Sequence, residues 1–374
     1  MYKLLHVISD TNIGGAGRVL LLLLKHTDTA QFDVTVAVPR AAELVPRLKK
    51  LGVKYIETDV GRDTSHESGG VAAYKKIIKE LKPDIVHTHA SLDAKIAAKE
   101  CRVPVRVYTR HSVFDPPKTL TTFPGKLVSG TFNNTLSTDV IAVAEAAKEN
   151  LIATGVDAKK ITVILNGVEP LEKISAEERA AVRADLGFKE SDFVCGLIAR
   201  FEPYKGHTDL LEIAEKIKAQ RNNVKFILLG AGSCYTSICE ETEKRGLTDT
   251  VFPLGFRNDT APYCNAMDLA LNCSWGTEAT SLALLETMSL GIPAVVTNFG
   301  GNPGVIADGV NGLVTPVRDT QAMADAILRL ADNPELYSAL SAGAEKIYAE
   351  RFTADVMTRK TEEVYIKALN RKKK

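Results

Sequence analysis

Cysteine is scarce in this chain, long apolar runs are absent, and neither sign of charge prevails. The six cysteines (Cys101, Cys195, Cys234, Cys239, Cys264 and Cys273) are scattered among 374 residues. They show neither the spacing of a zinc site nor the density of a disulfide scaffold, and they fit a reducing, cytoplasmic setting. The longest apolar stretch near the start, from Val19 to Leu24, is closed by Lys25 and His26 and is too short to span a bilayer. The opening residues Met1 to Ser9 lack the pattern of a signal peptide and are better read as a buried strand. With 47 basic against 46 acidic residues the formal net charge is +1, so no global field points to nucleic acid as a partner. Two motifs are also missing. No Asp-x-Asp occurs, which removes the usual carboxylate anchor for a divalent metal on a nucleotide sugar. No G-x-G-x-x-G occurs, which weakens a dinucleotide-binding reading.

What is present is a soluble globular composition, 45% hydrophobic and 25% charged, in a chain longer than one core usually organises. Short β-branched runs at 4–9, 34–39, 53–58, 85–89, 105–109, 140–144 and 161–165 alternate with helical patterns. A second series follows at 193–199, 224–229, 251–254, 269–272, 294–297 and 312–315. Such alternation predicts βαβ units and parallel sheets, hence an α/β protein with two doubly wound domains. The expected boundaries are an N-terminal domain over 1–170, a charged linker over 171–192, a C-terminal domain over 193–352 and a final helix over 353–374. Ligands of such sheets bind beyond the carboxyl ends of the strands, so two facing sheets would create one deep crevice.

Three segments carry chemistry. After the first strand, Asp10-Thr-Asn-Ile-Gly14-Gly15-Ala16-Gly17-Arg18 is a glycine-rich turn into a helix, which suits close approach of a phosphate and equally a tight packed turn. The second domain opens with Gly196-Leu-Ile-Ala-Arg200-Phe-Glu-Pro-Tyr-Lys205-Gly206-His207. Two cations there, with Lys205 read as an exposed rim residue, suit a diphosphate. The strongest signal is Thr277-Glu278-Ala-Thr-Ser281-Leu282-Ala-Leu-Leu-Glu286, running on to Gly291 and a new strand. At about 100° per helical residue an eight-residue step offsets the two glutamates by roughly 80°. This places Glu278 in the leading turn and Glu286 within an apolar helix, where a carboxylate requires hydrogen-bonding partners such as sugar hydroxyls.

Arg200 with Lys205, the Glu278…Glu286 pair and the following Thr297-Asn-Phe-Gly-Gly301-Asn-Pro303 resemble the donor-site motifs of the retaining nucleotide-sugar glycosyltransferases of family four, which have the GT-B fold. The likeness covers nearly the whole chain. It implies two Rossmann-like domains facing across a cleft, with the last helix crossing back to the N-terminal domain. It implies that Glu286 binds the ribose hydroxyls of the nucleotide and that Arg200 and Lys205 hold the diphosphate, with Gly14 and Gly15 closing over it. Glu278 would hold donor-sugar hydroxyls, backbone N–H groups at Ser281 and Leu282 would cap a phosphate, and Phe256 would belong to the same nucleotide-sugar site. His111, in Tyr108-Thr-Arg-His111-Ser112, matches the histidine placed beside the transferred sugar; His87 and His89 are further candidates, and His87 is equally readable as a core residue. The chain departs from the family at Ala279-Thr280-Ser281, where Gly-Phe-Gly is common, and at Ala144, where serine is common.

The resemblance implies a hexosyltransferase that needs no metal or other cofactor and moves a sugar, UDP-linked by expectation, with retention to an acceptor hydroxyl. The expected acceptor is a surface glycan or lipid-linked saccharide, met peripherally at the inner membrane face. Pro117-Lys118-Thr-Leu-Thr-Thr-Phe123-Pro-Gly-Lys126-Leu127-Val128 and the terminal Arg371-Lys-Lys-Lys374 mix apolar and basic residues suited to that face. Phe123 and Leu127, four apart, are also readable as a core stripe. An epimerase on the same fold would convert donor without acceptor. A non-catalytic nucleotide-sugar binder would not need Arg200, Lys205, Glu278 and Glu286 together.

Overall fold

A computed structural model describes residues 1–373; Lys374, the end of the basic tail, lies outside the described residues. The chain divides into two compact units, Met1–Gly167 with Ala354–Lys374, and Val168–Thr353.

The first unit is built on a seven-stranded sheet of β1 (Tyr2–Ile8), β2 (Phe32–Pro39), β3 (Lys54–Thr58), β4 (Ile85–His89), β5 (Val105–Arg110), β6 (Asp139–Ala142) and β7 (Ile161–Val163). The order is β3-β2-β1-β4-β5-β6-β7, with every pairing parallel. Parallel strands are buried on both faces, which explains the nearly continuous apolar runs. One face packs Leu5, Val7 and Val86 against Tyr74, Ile77 and Ala94. The other packs Ile8, Val36 and Val38 against Leu20, Leu24 and Leu44. The helix Ala354–Lys373 belongs to this unit although it ends the chain. Its Tyr365 is buried, edge-on to Phe32 at 5.7 Å.

The second unit holds β8 (Phe193–Ile198), β9 (Val224–Leu229), β10 (Val251–Gly255), β11 (Leu269–Asn272), β12 (Ala294–Thr297) and β13 (Gly312–Thr315), ordered β10-β9-β8-β11-β12-β13 and again parallel. Both sheets are Rossmann-like, and each reverses its strand order beside its first strand, between β1 and β4 and between β8 and β11. At such a reversal the flanking loops part and leave a place for ligand.

The segment expected as a linker, 171–192, lies within the second unit and has structure of its own. It contains the helix Ala176–Asp185, opened by a capping box between Ser175 and Glu178. Arg179 and the buried Arg183 both bind Asp268, which also accepts from the Val194 amide. Arg183 further donates to the Ala266 and Asp192 carbonyls, each at 3.0 Å. The charge of this segment therefore fixes the helix to the second sheet. Among the described residues no helix is long and apolar enough to cross a membrane. Phe123 and Leu127 do not form a core stripe: they are 83% and 62% exposed.

Replacing Arg183 by alanine strands several buried carbonyls and leaves Asp268 with one guanidinium, a loss of about 3 kcal/mol. Urea unfolding of Arg183→Ala is expected to show a clearly lower midpoint; an unchanged midpoint would show that these bonds do not fix the helix to the sheet.

Candidate active site

In the second unit, β8 delivers Arg200 to the surface and Phe201 to the core within two residues. Arg200 is exposed, and its Nη2 donates to the Tyr204 hydroxyl at 3.2 Å. Phe201 is fully buried and stacks on His207 at 4.1 Å. Between them Pro203–Lys205 forms one tight turn that ends at Gly206, with φ of 76°. A side chain at Gly206 would put its Cβ 2.2 Å from the Cys273 carbonyl, so glycine alone lets this turn lie against the exit of β11.

That approach carries Lys205 inward. Its Nζ donates to the Thr277 carbonyl and to Glu278 Oε2, both at 2.8 Å, and its side chain is only 11% exposed. Lys205 is thus not the exposed rim lysine expected from sequence. The same Oε2 accepts from Asn272 Nδ2 at 3.0 Å and Ser274 Oγ at 2.9 Å, while Oε1 takes none of these bonds. Asn272 and Ser274 were not singled out in the sequence, although their position at the end of β11 is where a doubly wound sheet presents polar groups. The backbone of Glu278 is pinned by Gly300 and Gly301. Gly301 donates its amide to the Glu278 carbonyl at 3.1 Å, and a Cβ at Gly300, with φ of 56°, would stand 2.2 Å from that oxygen.

Glu278 lies in the loop before the helix Leu282–Ser289, and Glu286 lies inside that helix, 6% exposed. Ser281 caps the helix, accepting from the Leu284 amide at 3.4 Å. The N–H groups of its first turn, Leu282 included, have no intrahelical acceptor and face a favourable site for an anion. Phe256 follows β10 and is 64% exposed, an aromatic face open to a planar partner.

In the first unit, Gly14 caps the helix Gly15–His26. No atom lies within 4 Å of where a Cβ on Gly15 would stand, so packing does not explain the absence of a side chain there. His111 follows β5, and its Nε2 lies 2.8 Å from His89 Nδ1. His89 Nε2 in turn lies 3.0 Å from Nδ1 of His6, a residue the sequence reading passed over. His87 bridges the Tyr365 hydroxyl and Thr109 Oγ1, each at 2.6 Å, the hydrogen-bonded core role weighed for it. Among the described residues, His6, His87 and His89 are one group whose ligand atoms lie close enough to be considered for a metal. Burial holds all these rings neutral: it lowers His6 to about 3 and His111 to about 4, and His87 and His89 well below the ordinary range.

Residues 13–171 match the family described as Glycosyltransferase Family 4, and residues 178–347 match Glycosyl transferases group 1. The two matches together span most of the chain, which is a family-4-like glycosyltransferase. A galactosyltransferase of Escherichia coli, named for transfer from UDP-Gal to α-D-GlcNAc-diphosphoundecaprenol, is 28% identical over 89% of each chain. The alpha-monoglucosyldiacylglycerol synthase of Acholeplasma laidlawii is 26% identical over 81% of this chain and 80% of its own. Anabaena HepE, solved with UDP, superposes with a TM-score of 0.83 at 22% identity, covering 98% of this chain and 100% of its own. The fold of the enzyme is GT-B.

Two consequences are measurable. Lys205→Ala leaves Glu278 with two neutral donors in place of a cation, which costs about 3 kcal/mol in such surroundings. Its melting temperature should fall, and adding Glu278→Gln should restore part of the loss; a single variant as stable as the parent would contradict the pair's structural role. The second concerns acid. His6 and His111 are neutral when folded and take up a proton near pH 6.5 when unfolded, so the unfolded state binds more protons as pH falls. Stability fully present above about pH 6.5 should decline from there towards about pH 4, each ring contributing up to about 1.4 kcal/mol per pH unit. Urea midpoints that stay level from pH 7.5 to pH 4.5 would show that these rings are not buried neutral.

Proposed function

We propose that the enzyme transfers a sugar from a UDP-linked donor, with retention and without a metal ion, to a hydroxyl of a lipid-linked or surface glycan. The observation that carries this reading is the state of Lys205. Its ammonium has three N–H donors, and two are spent on Thr277 and Glu278. The third remains for a phosphate oxygen, held in place before any ligand arrives. The exposed guanidinium of Arg200 supplies the second positive charge for the diphosphate. Glu278 Oε1 is available to a hydroxyl of the donor sugar, Glu286 takes the ribose hydroxyls, and the amides at Ser281 and Leu282 cap a phosphate oxygen. Phe256 offers its face to the base. Within the first unit, Gly14 and Gly15 open a helix whose leading amides suit a phosphate, and His111 offers a ring nitrogen suited to a sugar hydroxyl.

In this scheme the bond from the anomeric carbon to the diphosphate breaks first, and the electron pair leaves on an oxygen stabilised by Arg200 and Lys205. The acceptor oxygen attacks from the same face through an oxocarbenium-like state and passes its proton to the departing diphosphate. No side chain acts as nucleophile. The name of the Escherichia coli relative supports both the uridine donor and a lipid-diphosphate acceptor. A surface of the first unit fits an anionic lipid layer. Phe123, Leu127, Val128 and Phe132 are exposed there, beside Lys118 and Lys126.

The test is transfer from a panel of nucleotide sugars with and without EDTA, to a sugar-diphosphate-prenol in anionic vesicles and to a free oligosaccharide. Product with the α-anomeric configuration is expected from one α-linked UDP-sugar, unaffected by chelator and greater on vesicles. Activity abolished by EDTA and restored by magnesium would overturn the assignment of leaving-group charge to Arg200 and Lys205. Donor consumption without acceptor would point to an epimerase, and preference for the free oligosaccharide would remove the membrane contact.

A further inference from the structure

The central strands of the first sheet bring four histidines together. β1 and β4 are neighbours with His6 in register with His87, and β4 and β5 are neighbours with His89 in register with Thr109, two residues before His111. Three of the four form a series: His111 Nε2 to His89 Nδ1 at 2.8 Å, then His89 Nε2 to His6 Nδ1 at 3.0 Å. His87 packs beside the series at 4.3 Å from the His89 ring but spends both nitrogens on Tyr365 and Thr109.

A bound metal is a poorer account of this cluster than hydrogen bonding. Tetrahedral zinc with nitrogens at about 2.05 Å would separate them by roughly 3.3 Å, more than either contact in the series. Both nitrogens of His89 already face other imidazoles, and both of His87 face hydroxyls. A neutral imidazole carries one N–H and one bare nitrogen. Two hydrogen bonds in series through neutral rings must therefore run in one direction. Either all three rings carry their proton on Nε2, leaving His111 Nδ1 an acceptor, or all three carry it on Nδ1, making His111 Nδ1 a donor. The burial that disfavours a charged ring at any of these positions removes the alternative of a protonated central imidazole that donates both ways.

We propose that His6 and His89 are positioning residues that fix the tautomer of His111 collectively, and so decide whether its free nitrogen donates to or accepts from the bound sugar. The functional half of this statement rests on the placement of His111 beside the sugar; the shared tautomer does not. A hydroxyl can play either part, but a ring locked in one tautomer offers only one, and orientation by an outer partner commonly changes activity by about tenfold or more.

The test is a long-range proton–nitrogen correlation spectrum of the full chain with nitrogen-15 histidine, which separates Nδ1–H from Nε2–H for each ring. Single His→Gln variants assign the signals. In the unsubstituted protein, His6, His89 and His111 should show one common tautomer at neutral pH. His6→Leu should shift the His111 nitrogens towards a mixture and lower kcat about tenfold, with donor KM changed less than twofold. Differing tautomers within the series of the unsubstituted protein would overturn the proposal without any variant. So would a folded His6→Leu protein whose His111 signals and turnover match the parent. A chain with a common tautomer but no transfer from any nucleotide sugar would refute the proposed function and leave the collective tautomer standing.

Discussion

A parallel sheet must be covered on both faces, because its strands are apolar on both and its crossovers are helical. That requirement organises both units of this enzyme. It forces each strand to end in a loop at one edge of the sheet, and it places polar side chains at those ends, where the apolar layers stop. Arg200 follows β8, Asn272 and Ser274 end β11, His89 ends β4 and His111 follows β5. The reversal of strand order beside β1 and beside β8 then determines which of these ends come together.

Within the second unit, the ion pair of Lys205 and Glu278 ties together the segments that carry the proposed donor site. A buried pair is a poor stabiliser by itself, since desolvation offsets much of its attraction. Its value here is geometric: the turn at Gly206, the end of β11 and the loop before the helix Leu282–Ser289 are held at one point. One carboxylate oxygen accepts from Lys205, Asn272 and Ser274, and the other takes none of those bonds. In the proposed reaction such an arrangement supplies groups already ordered before binding, which is the condition for electrostatic stabilisation without reorganisation.

Several features were plain in the order of residues. The thirteen strands among the described residues follow from β-branched runs separated by helical patterns, with bounds that match expectation or differ from it by at most two residues. Glu278 and Glu286 fall in loop and helix as an eight-residue step requires. Other features lie beyond what the order of residues shows, for definable reasons. The stretch 171–192 looks like a linker because its charge is dense, yet Arg179 and Arg183 direct that charge at Asp268, about ninety residues further along. Lys205 reads as a rim cation because lysine is usually solvated, and nothing local reveals that Glu278 lies beside it. Phe123 and Leu127 have the spacing of a core stripe and are exposed, since periodicity shows that residues share a face without showing what covers it.

The sequence by itself determined the α/β class, the parallel sheets, the resemblance to family-four enzymes and the identity of the charged groups in the donor motifs. These depend on period, propensity and short-range spacing, which are local in the chain. Only the tertiary structure decided that Lys205 turns inward onto Glu278, that Asn272 and Ser274 share the same carboxylate oxygen, and that His6, His89 and His111 form one series. The first and the last of these join residues far apart in the chain, 73 positions for Lys205 and Glu278 and 83 for His6 and His89. The deciding factor is strand order, which brings β1 and β4 together across the intervening β2 and β3 and which no local pattern encodes.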